Sequence, residues 1–365
     1  MERTTDGPGL SAALRRRVRE AIVAAGGWLP FDRFMALVLY EPGLGYYARD
    51  ARQFGWMPAS GSDFVTAPEL SPLFGAAFAV QVAQALEAAG SGDVVEFGAG
   101  SGALAEQLLE GLGERCRRYA IVELSAALRQ RQQARLARFA PRVHWLDAWP
   151  AAIEGVVVGN EVLDAMPVQL LHFDGAQWFE RGVALAGAEL AWQDRPAALR
   201  PPLEAALPGA VTEIHAQAEA FVRTLAERLV RGAAFFIDYG FPEHEYYHPQ
   251  RHAGTLMCHR AHRADADPLV DLGEKDITAH VNFTGIALAA QEAGLDVLGY
   301  TSQARFLLNC GLLDRLQGAD VRATAAAQKL LAEHEMGELF KVIALASGVS
   351  FEPLGFREGD RTHRL

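Results

Sequence analysis

The sequence predicts an α/β fold built around a mostly parallel sheet, and three observations support this prediction. A strand-like run, Asp93–Phe97, leads into a turn with three glycines, and an apolar helical pattern follows. Further β-branched runs alternate with helical patterns along the chain. Polar side chains stand at the ends of predicted strands: Glu96, Glu123, Asp147 and Asn160. Because ligands of parallel sheets bind at the carboxyl ends of the strands, we expect these four residues to share one site.

The glycine turn reads Gly98-Ala99-Gly100-Ser101-Gly102. Glycine permits a sharp strand-to-helix turn and lets a ligand approach the backbone N–H groups closely. The spacing differs from the Gly-x-Gly-x-x-Gly of dinucleotide-binding folds, and a carboxylate at Glu96 would repel a pyrophosphate. A cationic ligand suits that carboxylate, so S-adenosylmethionine (SAM) is the expected cofactor. A nicotinamide dinucleotide, or a turn needed only for packing, is the alternative.

The position of a second acidic residue supports the prediction that the ligand contains a nucleoside. Glu123 ends the next predicted strand, 21 residues after Gly102. That is the distance at which a nucleotide-binding βαβ unit places the carboxylate that binds ribose. We therefore expect Glu123 to bind the ribose of the cofactor.

Composition and charge narrow the class of protein. Half of the 365 residues are hydrophobic and 22% are charged, which is typical of a soluble globular protein. A net charge of −11 argues against a nucleic-acid or anionic-membrane partner and is compatible with a basic substrate. No apolar run approaches the roughly 18 residues that a membrane span needs, so no membrane span is expected.

Cysteine usage and the N-terminal residues bear on the compartment. Three widely spaced cysteines do not suggest a disulfide framework and fit a reducing compartment. The run Arg15-Arg16-Arg17 could belong to an organelle leader, but acidic residues surround it and its apolar neighbours keep helical spacing. We therefore expect a cytoplasmic protein rather than one of the mitochondrial matrix.

The first ninety residues are predicted to be mainly helical. Two helices over 10–40 are separated by Gly26-Gly27, and a third runs over 73–89. The stretch 61–72 is polar and broken by prolines, so it is expected to form a loop over the cofactor, with Thr66 and Pro68 in contact with it.

The remaining elements alternate as the fold class requires. Ser125 is expected to cap a helix over 125–138, and strands are predicted over 143–146 and 155–159. Asp174-Gly175 indicates an inserted hairpin. Later elements are predicted as a helix over 215–230, a strand over 233–237, a helix over 286–293, and strands over 295–300 and 340–345.

These elements group into six expected segments. They are an N-terminal helical region with the covering loop (1–90), the first part of the sheet core (91–167), an inserted hairpin and helix (168–232), the fifth core strand (233–240), a long polar lid (241–284), and closing helices and strands (285–365).

Three residues are candidates for catalysis. Glu161 and Asp164 lie three apart directly after a predicted strand, so one helical turn would place both carboxylates on one side. Two carboxylates could grip a guanidinium and free one nitrogen for attack. Alternatively, Asp164 only braces the turn. His280 could act as a general base or could hydrogen-bond a neighbouring loop.

A histidine-rich stretch raises the question of a metal. It contains His244, His248, His252, His259 and His262. Pro249 and Gly254 interrupt the helical spacing that ligation would need, and no Cys-x-x-Cys accompanies the histidines. No metal site is expected.

Several motifs together resemble the MidA-like family, which includes a mitochondrial arginine methyltransferase that assists assembly of respiratory complex I. The resemblance spans nearly the whole chain and rests on the stretches 63–69, 95–102, 160–167, 238–240 and 276–283. It implies a class I SAM-dependent methyltransferase fold with inserted helices, hairpin and lid. The resemblance does not fix the methyl acceptor, because the arginine activity belongs to the mitochondrial branch. The expected substrate is a basic protein or peptide methylated at arginine, with a respiratory complex subunit as one candidate, and a homodimer is one option for the assembly.

Two other functions stay open at this point. One is methylation of a small molecule in the same site, and the other is an assembly or binding factor whose SAM site is vestigial.

Overall fold

The structure is a computed structural model that describes residues 8–48, 66–203, 206–260 and 263–365. Its helices are α1 (Pro8–Ala24), α2 (Phe31–Tyr40), α3 (Ala67–Leu70), α4 (Pro72–Ala89), α5 (Ala103–Leu112), α6 (Ala126–Leu136), α7 (Ala216–Arg228), α8 (Glu243–Tyr246), α9 (Phe283–Glu292), α10 (Gln303–Asn309) and α11 (Val321–Leu331).

Strands account for most of the remaining ordered structure. They are β1 (Trp28–Pro30), β2 (Asp93–Phe97), β3 (Arg118–Val122), β4 (Val143–Leu146), β5 (Ile153–Asn160), β6 (Gln169–Phe173), β7 (Trp178–Ala186), β8 (Glu189–Pro196), β9 (Val211–Ile214), β10 (Leu229–Phe241), β11 (Met257–Arg260), β12 (Arg263–Asp265), β13 (Asp276–Thr278), β14 (Val281–Asn282), β15 (Asp296–Ser302) and β16 (Phe340–Ser347).

Contacts divide the chain into two compact units. The larger unit covers Val65–Leu163, Glu219–Pro242 and Val281–Leu365, and the smaller unit covers Met1–Phe64, Asp164–Ala218 and Glu243–His280. The smaller unit therefore combines three separate stretches of the chain, because its sheets pair strands that lie far apart in sequence.

The larger unit contains the predicted parallel sheet. Its strand order is β15-β16-β10-β5-β2-β3-β4, and β14 pairs with β10. The strands from β10 to β4 run parallel, whereas β16 is antiparallel to both of its neighbours. The chain runs outward from β2 to β3 and β4, then returns to β5 on the other side of β2. This reversal makes the carboxyl ends of β2 and β5 a topological switch point, where ligands of such sheets bind.

Helix α4 shows how local sequence defines an element of this unit. Ser71 caps its N-terminus by accepting a hydrogen bond from the Leu73 amide, and Gly90 ends it in the left-handed conformation. Among the described residues, α4 is long and apolar enough to cross a membrane, so the prediction that no run reaches this length is wrong. Its alanines and phenylalanines instead fill the core, where Phe74 and Phe78 are fully buried.

The smaller unit is built on antiparallel pairing. Its main sheet has the order β1-β7-β6-β9, with β8 on β7, and a second sheet has the order β12-β11-β13. The hairpin predicted at Asp174-Gly175 is confirmed as β6 and β7. The second sheet lies in the stretch expected to be a long polar lid, 241–284. Cys258 and Ile277, paired across β11 and β13, bury apolar side chains in the core of this unit, and the role of the stretch as a lid stays a prediction.

Candidate cofactor-binding site

The glycine turn joins β2 to α5 at the switch point of the larger sheet. Gly98, Gly100 and Gly102 have φ values of 65°, 52° and 82°, a region that side-chain-bearing residues rarely adopt. A Cβ atom on Gly98 would lie 2.7 Å from Cγ2 of Val162, in the loop that follows β5. The loops after β2 and β5 therefore approach each other so closely that only glycine fits.

Glu123 lies just beyond β3 and is 8% exposed. One carboxylate oxygen accepts a hydrogen bond from the Ser125 amide at 2.7 Å, and the other accepts one from Gln132 Nε2 at 2.9 Å. Burial raises the pKa of Glu123, while these donors oppose the rise. The carboxylate is thus held in a fixed orientation at the carboxyl edge of the sheet, as a ribose-binding role requires.

Glu96 is buried in the protein, whereas the sequence suggested that its carboxylate faces a cationic ligand. It is 1% exposed, and its carboxyl accepts a hydrogen bond from the Tyr119 hydroxyl at 2.7 Å. Burial raises the pKa of Glu96 to about 8, despite that hydrogen bond. The side chain lies in the protein interior beneath the turn and is mainly neutral at pH 7, so it offers little charge to a cationic ligand. Its contact with the cofactor stays a prediction.

Asp147 follows β4 and is the most exposed of the four strand-end residues, with 82% of its side chain accessible. It pairs with Arg129 of α6, whose guanidinium also donates to the backbone carbonyl of Glu123 at 2.7 Å. Arg129 therefore links the ends of β3 and β4. Whether Asp147 contacts the cofactor stays a prediction.

The segment after β5 is not the helical turn expected from the sequence. No helix lies between β5 and β6, and Glu161 has a left-handed φ of 53°. The backbone is held instead by Asp238, whose carboxylate accepts from the amides of Val162 and Leu163 at 3.1 and 2.9 Å. The helical argument for a Glu161–Asp164 clamp is therefore wrong. A left-handed glutamate costs about 1–3 kcal/mol and often marks a functional site.

Asn160 and Glu161 occupy the carboxyl end of β5. The Asn160 side-chain amide donates to the Glu161 carboxylate at 3.0 Å. The other side-chain atom, Asn160 Oδ1, is buried and has no hydrogen-bond partner among the described residues. An unsatisfied acceptor of this kind is rare in a folded protein and fits a ligand that donates hydrogen bonds.

Asp164 and His280 belong to the smaller unit. Asp164 is 4% exposed, and its backbone carbonyl accepts from the Ala279 amide at 3.0 Å. The His280 amide donates to Thr255 Oγ1 at 3.0 Å. Thr255 and Tyr246 in turn donate to the buried carboxylate of Glu213. His280 therefore adjoins a buried polar network, and its role in catalysis stays a prediction.

Thr66 and Pro68 begin the part of the chain described after residue 48. Pro68 lies in α3, and its carbonyl accepts from Gln107 Nε2 of α5 at 2.7 Å. Glu69, next in the helix, pairs with Arg135 of α6, which also donates to Ser101 of the glycine turn at 2.8 Å. The rest of the expected covering loop, residues 61–65, lies outside the described residues. Contact of Thr66 and Pro68 with the cofactor stays a prediction.

Sequence analysis did not identify several residues that surround the site. Gln132, Arg129 and Arg135 of α6 contact the glycine turn or the acid-bearing strand ends, and Leu124 exposes 81% of its surface beside Glu123. The only hint in the sequence is the high content of arginine and glutamine in α6. This composition does not identify site residues, because a solvent-exposed helix has the same composition.

The residues present fit SAM. Glu123 offers an oriented carboxylate for ribose hydroxyls, and the left-handed glycines leave room beside the turn. Asn160 Oδ1 offers a free acceptor for the cofactor's ammonium group. When bound, SAM supplies a methyl group on a sulfonium. Among the residues that the structure describes, no cluster of histidine, cysteine or carboxylate side chains could hold a metal; His262 lies outside them.

Comparisons with known proteins agree with SAM as the cofactor. A family model described as "Putative S-adenosyl-L-methionine-dependent methyltransferase" matches residues 76–301. The crystal structure of a "likely methyl transferase" from Burkholderia thailandensis bound to S-adenosyl-homocysteine is 52% identical, covers all of both chains and has a TM-score of 0.95.

More distant relatives come from animals. The mitochondrial "Protein arginine methyltransferase NDUFAF7 homolog" of Drosophila melanogaster is 28% identical over 92% of this chain and 85% of its own. The human protein arginine methyltransferase NDUFAF7, also mitochondrial, is 26% identical over 88% of this chain and 81% of its own. These matches confirm the resemblance seen in the motifs, with SAM as the cofactor, and the chain belongs to this family of SAM-dependent methyltransferases.

Proposed function

We propose that the methyl acceptor is an arginine side chain of a basic protein. The observation that carries this proposal is the set of animal relatives named as protein arginine methyltransferases, which align with more than four fifths of this chain. The net charge of −11 supports a basic partner.

A cluster in the smaller unit has the chemistry that a guanidinium requires. The Tyr47 hydroxyl donates to Asp276 Oδ1 at 2.8 Å, and the rings of Tyr40 and Tyr47 stack at 5.5 Å between centroids. Burial of their hydroxyl groups, together with the negative charges of Asp276 and Asp164, raises the pKa of both tyrosines, although Tyr40 as a whole is 41% exposed. Carboxylates and aromatic faces together bind guanidinium well, through charge-assisted hydrogen bonds and cation–π contacts.

Glu161 lies in the larger unit, directly after β5. Methyl transfer is an in-line displacement, so the protein mainly orients the acceptor nitrogen. A guanidinium stays protonated at physiological pH, and its nitrogen lone pairs are delocalised. A carboxylate that bonds one face of the guanidinium localises the positive charge and makes another nitrogen a better nucleophile. We assign this role to Glu161, whose strained backbone holds its position at the end of β5.

The test compares Glu161→Gln with a matched control, Glu154→Gln. Glu154 lies at the opposite end of β5, with 58% of its side chain exposed. Each variant is incubated with radiolabelled SAM and a lysate from a strain that lacks the protein, and labelled residues are identified by mass spectrometry. Glu161→Gln should bind S-adenosyl-homocysteine as the wild type does and lose most methyl transfer, because the missing charge acts mainly in the transition state. Glu154→Gln should keep both.

The labelled product decides the acceptor. Label on arginine of one or a few proteins supports the proposal. Label confined to small molecules, or absent from every fraction despite tight cofactor binding, would overturn it in favour of a small-molecule methyltransferase or a binding factor, respectively. Asp164→Asn, tested in parallel, should lower transfer less than Glu161→Gln if Asp164 mainly supports the cluster around Tyr40 and Tyr47.

A further inference from the structure

The side chain of Gln132, in α6, connects the glycine turn with the strand-end acid. It is fully buried in a helix that is otherwise rich in accessible polar side chains. Its Nε2 donates to the Gly100 carbonyl and to Glu123 Oε2, both at 2.9 Å. Its Oε1 accepts from the Trp145 indole at 2.9 Å. Both donors and the acceptor of the amide are therefore used.

The partners leave only one orientation for this amide. The indole N–H of Trp145 can only donate, so it requires Oε1 of Gln132. The Gly100 carbonyl and an ionised Glu123 can only accept, so they require Nε2. Trp145 thus fixes the direction in which Gln132 donates. Neither a hydrocarbon side chain nor a carboxylate at position 132 could make all three contacts.

These contacts bring together two parts of the site that are distant in sequence. The second Glu123 oxygen is held by the Ser125 amide, so Gln132 completes the restraint of that carboxylate. The same Nε2 holds the carbonyl of Gly100, whose positive φ directs the turn. We propose that Gln132 is a positioning residue for the cofactor: it orients the Glu123 carboxylate toward the ribose and locks it to the glycine turn. This role rests on Glu123 as the ribose-binding acid and is independent of the methyl acceptor.

The charges around Glu123 make this role testable through pH. Arg129 on α6, which also pairs with Asp147 after β4, favours the ionised form of Glu123, and Glu96 on β2 is a titratable neighbour. Donation from Gln132 also lowers the pKa of Glu123, against the effect of burial. Loss of that donor should raise the pKa further. Ribose hydroxyls bind the ionised carboxylate better than the neutral acid. As the pH is lowered, a variant without the Gln132 donor should therefore begin to lose cofactor affinity at a higher pH than the wild type does.

The experiment measures S-adenosyl-homocysteine binding calorimetrically from pH 5.5 to 8.5 for Gln132→Leu, with Gln133→Leu as the control. Gln133 is the next residue of the same helix and is exposed. Gln132→Leu should bind about ten- to a hundred-fold more weakly at pH 7, since a hydrogen bond to a charged group is lost. The midpoint of its pH dependence should move upward. Gln133→Leu should match the wild type in both respects.

A double-mutant cycle with Glu123→Ala tests whether Gln132 acts through Glu123. In that background, Gln132→Leu should change affinity less than threefold, because the carboxylate it positions is gone. Equal losses in both backgrounds, or a loss without a shift in the pH profile, would show a merely structural role and overturn the proposal. Wild-type-like affinity of Glu123→Ala would instead overturn the assignment of Glu123 itself.

A second variant covers the case in which Gln132→Leu does not fold. In Gln132→Glu, the new carboxyl can donate to Glu123 only when protonated, so affinity should recover as the pH falls toward 5.5. Affinity that falls in parallel with the wild type over this range would contradict the proposal.

Discussion

Glu96 shows how burial changes the chemistry of a motif residue. Its carboxyl lies next to the Tyr119 hydroxyl and near Glu123, and water reaches almost none of it. An ionised carboxylate loses hydration there that one hydrogen bond does not replace, so the neutral acid is favoured. The acid that precedes the glycine turn therefore acts first as a buried hydrogen-bonding partner that ties β2 to β3.

Replacing Glu96 with glutamine should alter the pH dependence of stability. The pKa of Glu96 is about 8 in the folded protein and about 4.5 in the unfolded chain, so the folded state binds more protons between these values. The wild type should therefore lose stability relative to Glu96→Gln as the pH rises from about 5 to 8. Each unit of pKa difference corresponds to about 1.4 kcal/mol, which predicts a change of a few kcal/mol.

Urea unfolding of both proteins at pH 5.5 and pH 8.5 measures this difference directly. Glutamine keeps an oxygen that accepts from Tyr119, so the variant should fold. A difference between the two proteins that is the same at both pH values would contradict the raised pKa of Glu96.

At the scale of elements, the site depends on how closely two loops pack. The turn after β2 and the loop after β5 meet at Gly98 and Val162, and Asp238 at the end of the neighbouring strand β10 holds the second loop by two backbone amides. Asn160 and Glu161 precede these amides directly. The geometry of the glycine turn thus determines where these two polar side chains lie.

Gly98→Ala should abolish cofactor binding at modest cost to the fold. Its Cβ would lie 2.7 Å from Val162 and would force the β5 loop to shift. A positive φ alone costs alanine about 1–2 kcal/mol. Gly113→Ala is the matched control, because Gly113 has a φ of 56° with no atom within 4 Å of the new Cβ. Calorimetry with S-adenosyl-homocysteine should show lost binding for Gly98→Ala only. Equal affinities of the two folded variants would contradict the crowding argument.

The core strands could be predicted because their residues carry a local signal. The short strand-like runs predicted over 93–97, 119–123 and 143–146 are confirmed as β2, β3 and β4, with β3 shifted by one residue to Arg118–Val122. The cap at Ser125 is also confirmed, since its hydroxyl accepts from the Leu128 amide. Such features depend on residues close together in sequence.

The features that could not be predicted depend on distant partners. Strand β10 begins at Leu229, where a helix was expected to continue, because pairing with Ile153 of β5 draws those residues into the sheet. The left-handed turn at Glu161 depends on Asp238, more than seventy residues later. Gln132 gains its role only when Trp145 and Gly100 surround it. Neither the secondary-structure propensities of residues nor the spacing of apolar residues reveals contacts with residues so distant in sequence.

At the scale of the molecule, the two units differ in sheet type and in the candidate functional residues that they contain. The larger, mostly parallel unit holds the glycine turn, Glu123, Asn160 and Glu161. The smaller, antiparallel unit holds the buried carboxylates and tyrosines that suit a cationic acceptor. The predicted cofactor residues within the described chain therefore fall in one compact unit, so an experiment can follow cofactor binding apart from the proposed recognition of the acceptor.

Hydrogen exchange with and without S-adenosyl-homocysteine tests that division across the whole chain. A ligand at a hundred times its dissociation constant stabilises the bound state by about 2.7 kcal/mol, so amides that exchange only when the site opens should slow about a hundred-fold. We expect the largest slowing over 97–103, 122–126 and 158–163, where the glycine turn, Glu123 and Asn160 lie. The outer strand β15 of the same sheet should serve as an internal reference. Glu123→Ala at the same ligand concentration should show much weaker protection, because less ligand is bound. Protection confined to the smaller unit, with these three stretches unchanged, would contradict a cofactor site at the carboxyl ends of β2, β3 and β5.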